Sequence, residues 1–428
     1  MKFIGTRSGE ECRFEDALVR CLDGQGGLFV PESLPWRSFD EWGAMRSEEE
    51  LLTALLQPFL EDSALSADDP RLLSSILEWP RPLKSLRENL GILELFHGPT
   101  AAFKDFGASF LAKSLALSRS GAGGTILVAT SGDTGSAVAA AFSKLEGFRV
   151  ILLYPRGRVS GDQERLLSGW GDSVRSFAVE GSFDDAQAMV KAVLSDTDYA
   201  QKMSLFSANS INLGRLLPQA YFYLKSSCDI FRTRGKKMSV VVPSGNLGNG
   251  LAAIWARAMG APIQKIVLAA NANDAIAPVL KHRSLHAKTS VKTLATAMDV
   301  GTPSNAERLL WQLEREQISV DGILSCASSD ADITSALIKS SKELGRPICP
   351  HTATALDAYG RHGEGSEPWV LAATAHPAKF ADTLFTLTGE SPLLPSKLRE
   401  HLERESSALP MEANQRALRM EIEAFDGS

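Results

Sequence analysis

From about residue 105 the chain alternates short β-branched runs with longer segments of helical period, the pattern of a parallel sheet covered by helices. The runs at 125–130 (TILVAT), 149–154 (RVILLY), 174–179, 238–242 (MSVVV), 265–270 and 369–374 (WVLAAT) read as strands, each followed by a turn and then a helix-period stretch. Residues 1–90 have a different texture. They are Leu-rich, with helical patterns at 48–59 and 69–77 broken by Pro31, Pro35, Pro80 and Pro82, and predict a mainly helical N-terminal domain. The tail, 391–428, reads as helical and charged, packed on the outside.

Ligands of open parallel sheets gather beyond the carboxyl ends of the strands, and three of the strand-to-helix loops carry unusual chemistry. The first places Ser131, Asp133 and Thr134 among Gly132 and Gly135 ahead of a helix over 137–145; the second runs Gly245, Asn246, Leu247, Gly248, Asn249 into a helix over 251–259. In the third, Thr374 ends a strand and His376, Pro377 and Lys379 open the next helix. Glycines let backbone N–H groups approach an anion, and a helix N-terminus adds partial positive charge. Ordinary caps and turns use the same residue types. Neither glycine loop matches the Walker or the GxGxxG pattern, and there is no GxSxG elbow.

Beside these loops stands Lys104, between Phe103 and Phe106 in HGPTAAFKDFG. Desolvation favours the neutral amine, which can form a Schiff base with an aldehyde cofactor. Alone, the segment also fits a snorkelling lysine at the start of an amphipathic helix over 105–116. Taken with the three loops, the simple reading is a phosphate-bearing ligand held by backbone amides and attached to a lysine through its reactive carbon, which is pyridoxal phosphate.

Composition narrows the field further. With 428 residues, 44% of them hydrophobic, the chain can build two or three cores. A net charge of −6 and a pI near 5.8 argue against nucleic acid or an anionic membrane as partner. Five scattered cysteines (Cys12, Cys21, Cys228, Cys326, Cys349) without a CxxC pair predict neither a disulfide frame nor a thiolate metal site. His282 and His286 have chelating spacing but lack HExxH or nearby carboxylates, so no metal is expected. The start has no secretory apolar stretch and no run approaches a membrane span, which places the chain in the cytoplasm as an expectation.

The motifs HGPTAAFKDFG, ATSGDTGSA, YPRGRVS, SANSINLGR, PSGNLGN and TAHPAKF occur in order between about residues 20 and 389. Together they resemble the threonine synthases, pyridoxal-phosphate enzymes of the tryptophan-synthase-β fold family (fold type II). The resemblance implies an α/β fold with two open, mostly parallel sheets and helices on both faces: a small α/β domain over 91–205 carrying Lys104 and the SGDTG loop, and a large cofactor-binding domain over 206–390. It implies conversion of O-phospho-L-homoserine and water to L-threonine and phosphate, with Lys104 as the Schiff-base lysine and acid/base. Gly245, Asn246, Leu247, Gly248 and Asn249 would surround the cofactor phosphate, and Thr374 would meet the pyridine nitrogen. The family usually reads SGNFGD where this chain reads SGNLGN, which leaves the role of Asn249 open.

The second phosphate, on the substrate, needs its own donors. Arg215 is the first candidate, in a segment with Ser210 and Asn212, followed by Lys379 and Arg156. Ser131, Asp133 and Thr134 are assigned to the substrate's amino-acid end and the cofactor's phenolic oxygen. His97 and His376 read either as site residues or as histidines that hydrogen-bond a loop. Rival readings are a phospho-lyase or serine/threonine dehydratase on the same scaffold, and a cofactor-binding regulatory protein without turnover. Monomer and homodimer both remain open.

Overall fold

The computed structural model describes residues 1–426 other than 121, 131, 158, 160 and 364. A six-stranded sheet runs, edge to edge, Ile323–Ala327, Ile263–Ala270, Met238–Pro243, Trp369–Ala373, Leu90–Glu94 and Leu83–Arg87, parallel throughout except for the last pair. A second sheet of five parallel strands has the order Leu409–Glu412, Val174–Glu180, Phe148–Pro155, Gly124–Ala129 and Leu205–Ser207. The central strands are apolar without alternation, and Met238–Pro243 is buried at every position. Helices cover both faces of such sheets, so no face is left for polar residues.

The six strands expected from hydrophobic runs all form, within a residue or two at each end. Others carry weaker patterns. Leu83–Arg87, inside the stretch expected to be helical, is an exposed edge strand after Pro80 and Pro82. The N-terminal region also contains an antiparallel three-stranded sheet, Glu11–Cys12, Phe3–Gly5 and Phe29–Pro31. The tail supplies Leu409–Glu412, which adds to the five-stranded sheet beside Val174–Glu180. The helical stretch after Asn212 is divided into Leu213–Leu216, a 3-10 turn Leu217–Gln219 and Ala220–Arg234. Pro218 explains the break, because it has no N–H to donate into the helical ladder.

The helix Lys104–Ser118 is central to the molecule. Phe106, Phe110, Leu111 and Leu115 are fully buried, and it packs on the helices Asp133–Phe142, Pro70–Leu77 and Leu213–Leu216. Among the described residues no helix is long and apolar enough to cross a membrane.

Candidate active site

Lys104 opens its helix at a place fixed by backbone pairing rather than by the helix alone. Ala102 bridges Ala375, the Phe103 N–H donates to the Thr374 carbonyl (2.9 Å), and the His376 N–H donates to the Ala101 carbonyl (3.0 Å). Lys104 and Thr374, 270 positions apart in the chain, therefore lie on adjoining backbone segments. The turn before the lysine is held by Asp105, which accepts from the Thr100 N–H (3.0 Å) and hydroxyl (2.5 Å). Burial pushes the Asp105 carboxyl up to about 6, against those hydrogen bonds.

The lysine side chain is 17% exposed, and its Nζ lies 3.9 Å from Asp133 Oδ2. Burial lowers its pKa; Asp133 opposes that shift, while Lys379 and Arg215 add to it. Asp133 begins the helix Asp133–Phe142, where Gly132 at φ +144 turns the chain and the Thr130 hydroxyl accepts from the Gly132 and Gly135 N–H groups (3.0 and 2.9 Å). Its other oxygen receives Lys379 Nζ at 2.5 Å. Burial alone would raise the Asp133 carboxyl, but Lys379, Lys104 and His351 outweigh it and hold the group well below the usual carboxylate range. Thr134 is partly buried on the first turn of the same helix; Ser131 lies outside the described residues.

The second loop has the features of an anion cradle. Leu247, the N-cap of the helix Gly248–Ala258, is held at φ +61, a left-handed conformation that a branched, buried residue seldom adopts. Gly245 packs so closely that an added Cβ would sit 2.8 Å from Met298 Cα. Asn246 braces the loop with its side chain: Nδ2 donates to Ser210 Oγ (2.5 Å) and Oδ1 accepts from the Ser304 N–H (2.5 Å). Asn305 Nδ2 donates to the Asn246 and Ser210 carbonyls, and buried Arg308 binds Asn305 Oδ1 and the Ile211 carbonyl, tying the loop to the segment before Arg215. Asn249, on the first turn of the helix, accepts from the buried Tyr223 hydroxyl (2.7 Å), while its Nδ2 has no partner among the described residues.

Two candidate substrate residues diverge. Arg215 is buried with Nη1 on the Ala208 carbonyl (2.6 Å); among the described residues its Nε has no partner and no carboxylate is in contact, and burial lowers its pKa to about 10, against the nearby Asp105. Asn212 is also buried, but its Oδ1 caps the Gly214 N–H and its Nδ2 is used by Leu18, Cys21 and Ser207. It has no free group for a substrate.

Arg156 is not brought to the cluster: its side chain is 61% exposed and pairs with Glu180. His97 binds Glu94, and His376 Nδ1 accepts from the Ala378 N–H (3.2 Å), so both do loop work. The described residues hold no group of three or more His, Cys, Asp or Glu suited to a metal.

Four contributors were not singled out from sequence. His351, buried on the first turn of Pro350–His362, accepts from the Ala297 N–H (3.1 Å), and burial drives its pKa down to about 4. Asn305 and Arg308 belong to PSNAER, and Tyr223 sits mid-helix. None has a local signal stronger than an ordinary helix start or core aromatic; PSNAER, a compact run of polar residues later found buried, was the nearest to one.

The residues fit pyridoxal phosphate. The left-handed Leu247 loop and helix N-terminus offer backbone donors to its phosphate, and Asn249 Nδ2 is a buried donor without a partner beside them. Lys104 offers an amine to its aldehyde. The Thr374 hydroxyl, which makes no hydrogen bond among the described residues, can meet its ring nitrogen.

Comparison with known proteins agrees. Residues 75–374 match the pyridoxal-phosphate dependent enzyme family, and residues 352–422 match the threonine synthase C-terminal family. Threonine synthase from Haemophilus influenzae is 37% identical over 396 residues, covering 92% of each chain. The Escherichia coli enzyme is 35% identical over 400 residues, 91% of this chain and 92% of that one. The crystal structure of the Escherichia coli threonine synthase superposes with a TM-score of 0.92 at 33% identity, covering 99% of this chain and all (100%) of that one. A pyridoxal-phosphate-bound threonine synthase from Brucella melitensis gives 0.89 at 29% identity, with 100% of both chains covered. Maize serine racemase, at 16% identity and a TM-score of 0.53 over 72% of this chain and 92% of that one, shares the fold alone. By sequence, by fold and by the donors gathered around Lys104, the chain belongs to the threonine synthase family of pyridoxal-phosphate-dependent enzymes.

Proposed function

We propose that this protein converts O-phospho-L-homoserine and water into L-threonine and phosphate, in the cytoplasm, with Lys104 as the group that moves protons. The observation that carries the reading is Arg215, a buried guanidinium whose Nε has no partner, and which has no carboxylate in contact, among the described residues. A buried cation without a counter-charge is costly unless an anion completes it. A substrate phosphate does so with two parallel hydrogen bonds.

Pyridoxal phosphate, when bound, supplies an electron sink that acidifies the carbons next to the substrate's amino group. The remaining work falls to the chain. Lys104, as a buried amine whose neutral form is favoured, would move the protons at the substrate's successive carbons, and a placed acid/base contributes roughly 10²- to 10⁴-fold. Asp133 Oδ2, facing that amine, is an acceptor for it whenever it carries an extra proton. Arg215 holds the substrate phosphate and stabilises the charge that grows on it as it departs. Thr374 offers a neutral hydroxyl where a carboxylate would hold the ring nitrogen protonated, which suits elimination over transamination. The Gly245 to Asn249 loop would hold the cofactor phosphate through backbone N–H groups, with Asn249 Nδ2 as a further buried donor.

The test is release of inorganic phosphate from O-phosphohomoserine by the cofactor-loaded protein, with L-threonine formed in equal amount. No release, with serine or threonine deaminated instead, would make it a dehydratase. Arg215→Ala should raise KM for the phosphorylated substrate roughly 10- to 100-fold, the value of a charged hydrogen bond, while the bound cofactor's visible absorbance is kept. An unchanged KM would remove Arg215 from the substrate site.

A further inference from the structure

We propose that Lys379 is a positioning residue: paired with Asp133, it keeps the Lys104 amine in its uncharged, reactive form, and it does not bind the substrate phosphate. The inference rests on Lys104 being the cofactor lysine.

The argument starts from how the Lys379 ammonium is used. Its side chain is 3% exposed, and Nζ donates to Asp133 Oδ1 (2.5 Å) and to the Thr100 carbonyl (3.0 Å). Reaching a phosphate elsewhere in the site would mean abandoning both partners and leaving buried Asp133 without its hydrogen-bonded cation. Arg215 has an unpartnered nitrogen; Lys379 already has two acceptors.

The second strand of the argument is placement. Lys379 lies in the 3-10 turn Pro377–Phe380, which His376 caps and which follows the Ala375 bridge to Ala102. The two lysines thus sit on backbone segments hydrogen-bonded to each other, and their relative position is set by that pairing. Asp133 comes from the other sheet and places one oxygen toward each: Oδ1 on Lys379, Oδ2 at 3.9 Å from Lys104.

A carboxylate that close to a single buried lysine would hold it as an ammonium and disable it as a nucleophile. With Lys379 in contact, the carboxylate's charge is largely answered, and it can receive Lys104 transiently without trapping it. The charged groups facing Lys104 are Asp133, Lys379 and Arg215. His351, facing Asp133, stays neutral because burial outweighs the carboxylate, and Asp105 on the lysine's own helix is turned to Thr100. Among the described residues, Lys379 is the cation hydrogen-bonded to Asp133, while Lys104 stands off at 3.9 Å, so Lys379 sets the balance.

The experiment measures the amine itself. The full-length chain, stripped of cofactor, is labelled with acetic anhydride across a pH series, and acetylation of the Lys104 peptide is read by mass spectrometry. Lys379→Met should move the Lys104 midpoint up by roughly 1 to 3 pH units, and slow cofactor capture at neutral pH about tenfold per unit. Lys379→Arg should keep the midpoint near that of the parent protein. Lys379→Met with Asp133→Asn should bring it back down. Should Lys379→Met prove poorly folded, Asp133→Asn alone decides, since it leaves Lys379 uncompensated and should lower the midpoint. An unmoved midpoint in Lys379→Met, or in Asp133→Asn, overturns the proposal. So does a Lys379→Met enzyme that captures cofactor normally and shows only a raised KM for O-phosphohomoserine, because that is how a phosphate ligand behaves. Labelling does not depend on turnover, so failure of the synthase reading would leave a distinct result.

Discussion

Leu247 shows how two residue-scale effects compete at one position. Its φ of +61 costs about 1 to 2 kcal/mol for a residue with a Cβ, which glycine would avoid. Its side chain, however, is fully buried against the core, and removing a buried leucine side chain costs about 2 to 5 kcal/mol. The second effect is larger. Leu247→Gly should therefore destabilise the protein by about 1 to 3 kcal/mol, read as a lower urea midpoint; a stabilised variant would mean the strain had been the dominant effect. The sequence made Leu247 visible as part of a glycine loop but not as a strained residue, because a backbone angle is set by the tertiary surroundings of the loop. The same distinction runs through the site. Lys104 could be picked out from its apolar neighbours and motif, whereas Asn212 looked like a ligand and is spent on four local partners. Side-chain direction, which decides such cases, is a tertiary property.

Among the elements, the loop that carries Thr374 and Lys379 illustrates how a capping histidine ties stability to pH. Burial, with help from His97 and Lys379, lowers His376 from its ordinary 6.5 to about 4. The unfolded chain therefore takes up a proton below about pH 6.5 that the folded chain refuses until about pH 4, and stability falls as the solution is acidified through that window. His351, also lowered to about 4 by burial, acts in the same direction. His376→Asn keeps an acceptor for the Ala378 N–H but does not titrate. Its urea midpoint should drop less than the parent's between pH 6.5 and 4, and parallel curves would show that His376 is not coupled to folding. Central strands were legible as apolar runs because both faces are covered. Edge strands such as Leu83–Arg87 and Leu409–Glu412 were not, since exposed positions blur the pattern and two prolines mimicked a helix boundary.

On the scale of the whole molecule, the tail is part of the second sheet's core. Met411, Leu418, Ile422 and Phe425 are all buried, and at roughly 1.5 to 3 kcal/mol each they contribute on the order of 6 to 12 kcal/mol, an upper bound for a compact unfolded state. That is comparable with the total stability of a typical domain. A chain ended at residue 406 should fail to give soluble, cooperatively unfolding protein; a stable, active truncation would show that the strand Leu409–Glu412 is dispensable. The two sheets also divide the catalytic groups. Lys104, Thr374 and Lys379 are stitched to the six-stranded sheet by the Ala102 and Ala375 bridge, whereas Asp133 rides on the five-stranded one. The helices that begin at Lys104 and Asp133 nevertheless pack on each other across that division. The Asp133 carboxylate, with one oxygen toward each lysine, is thus a clasp between the two layers, and its grip depends on that helix seam staying in place.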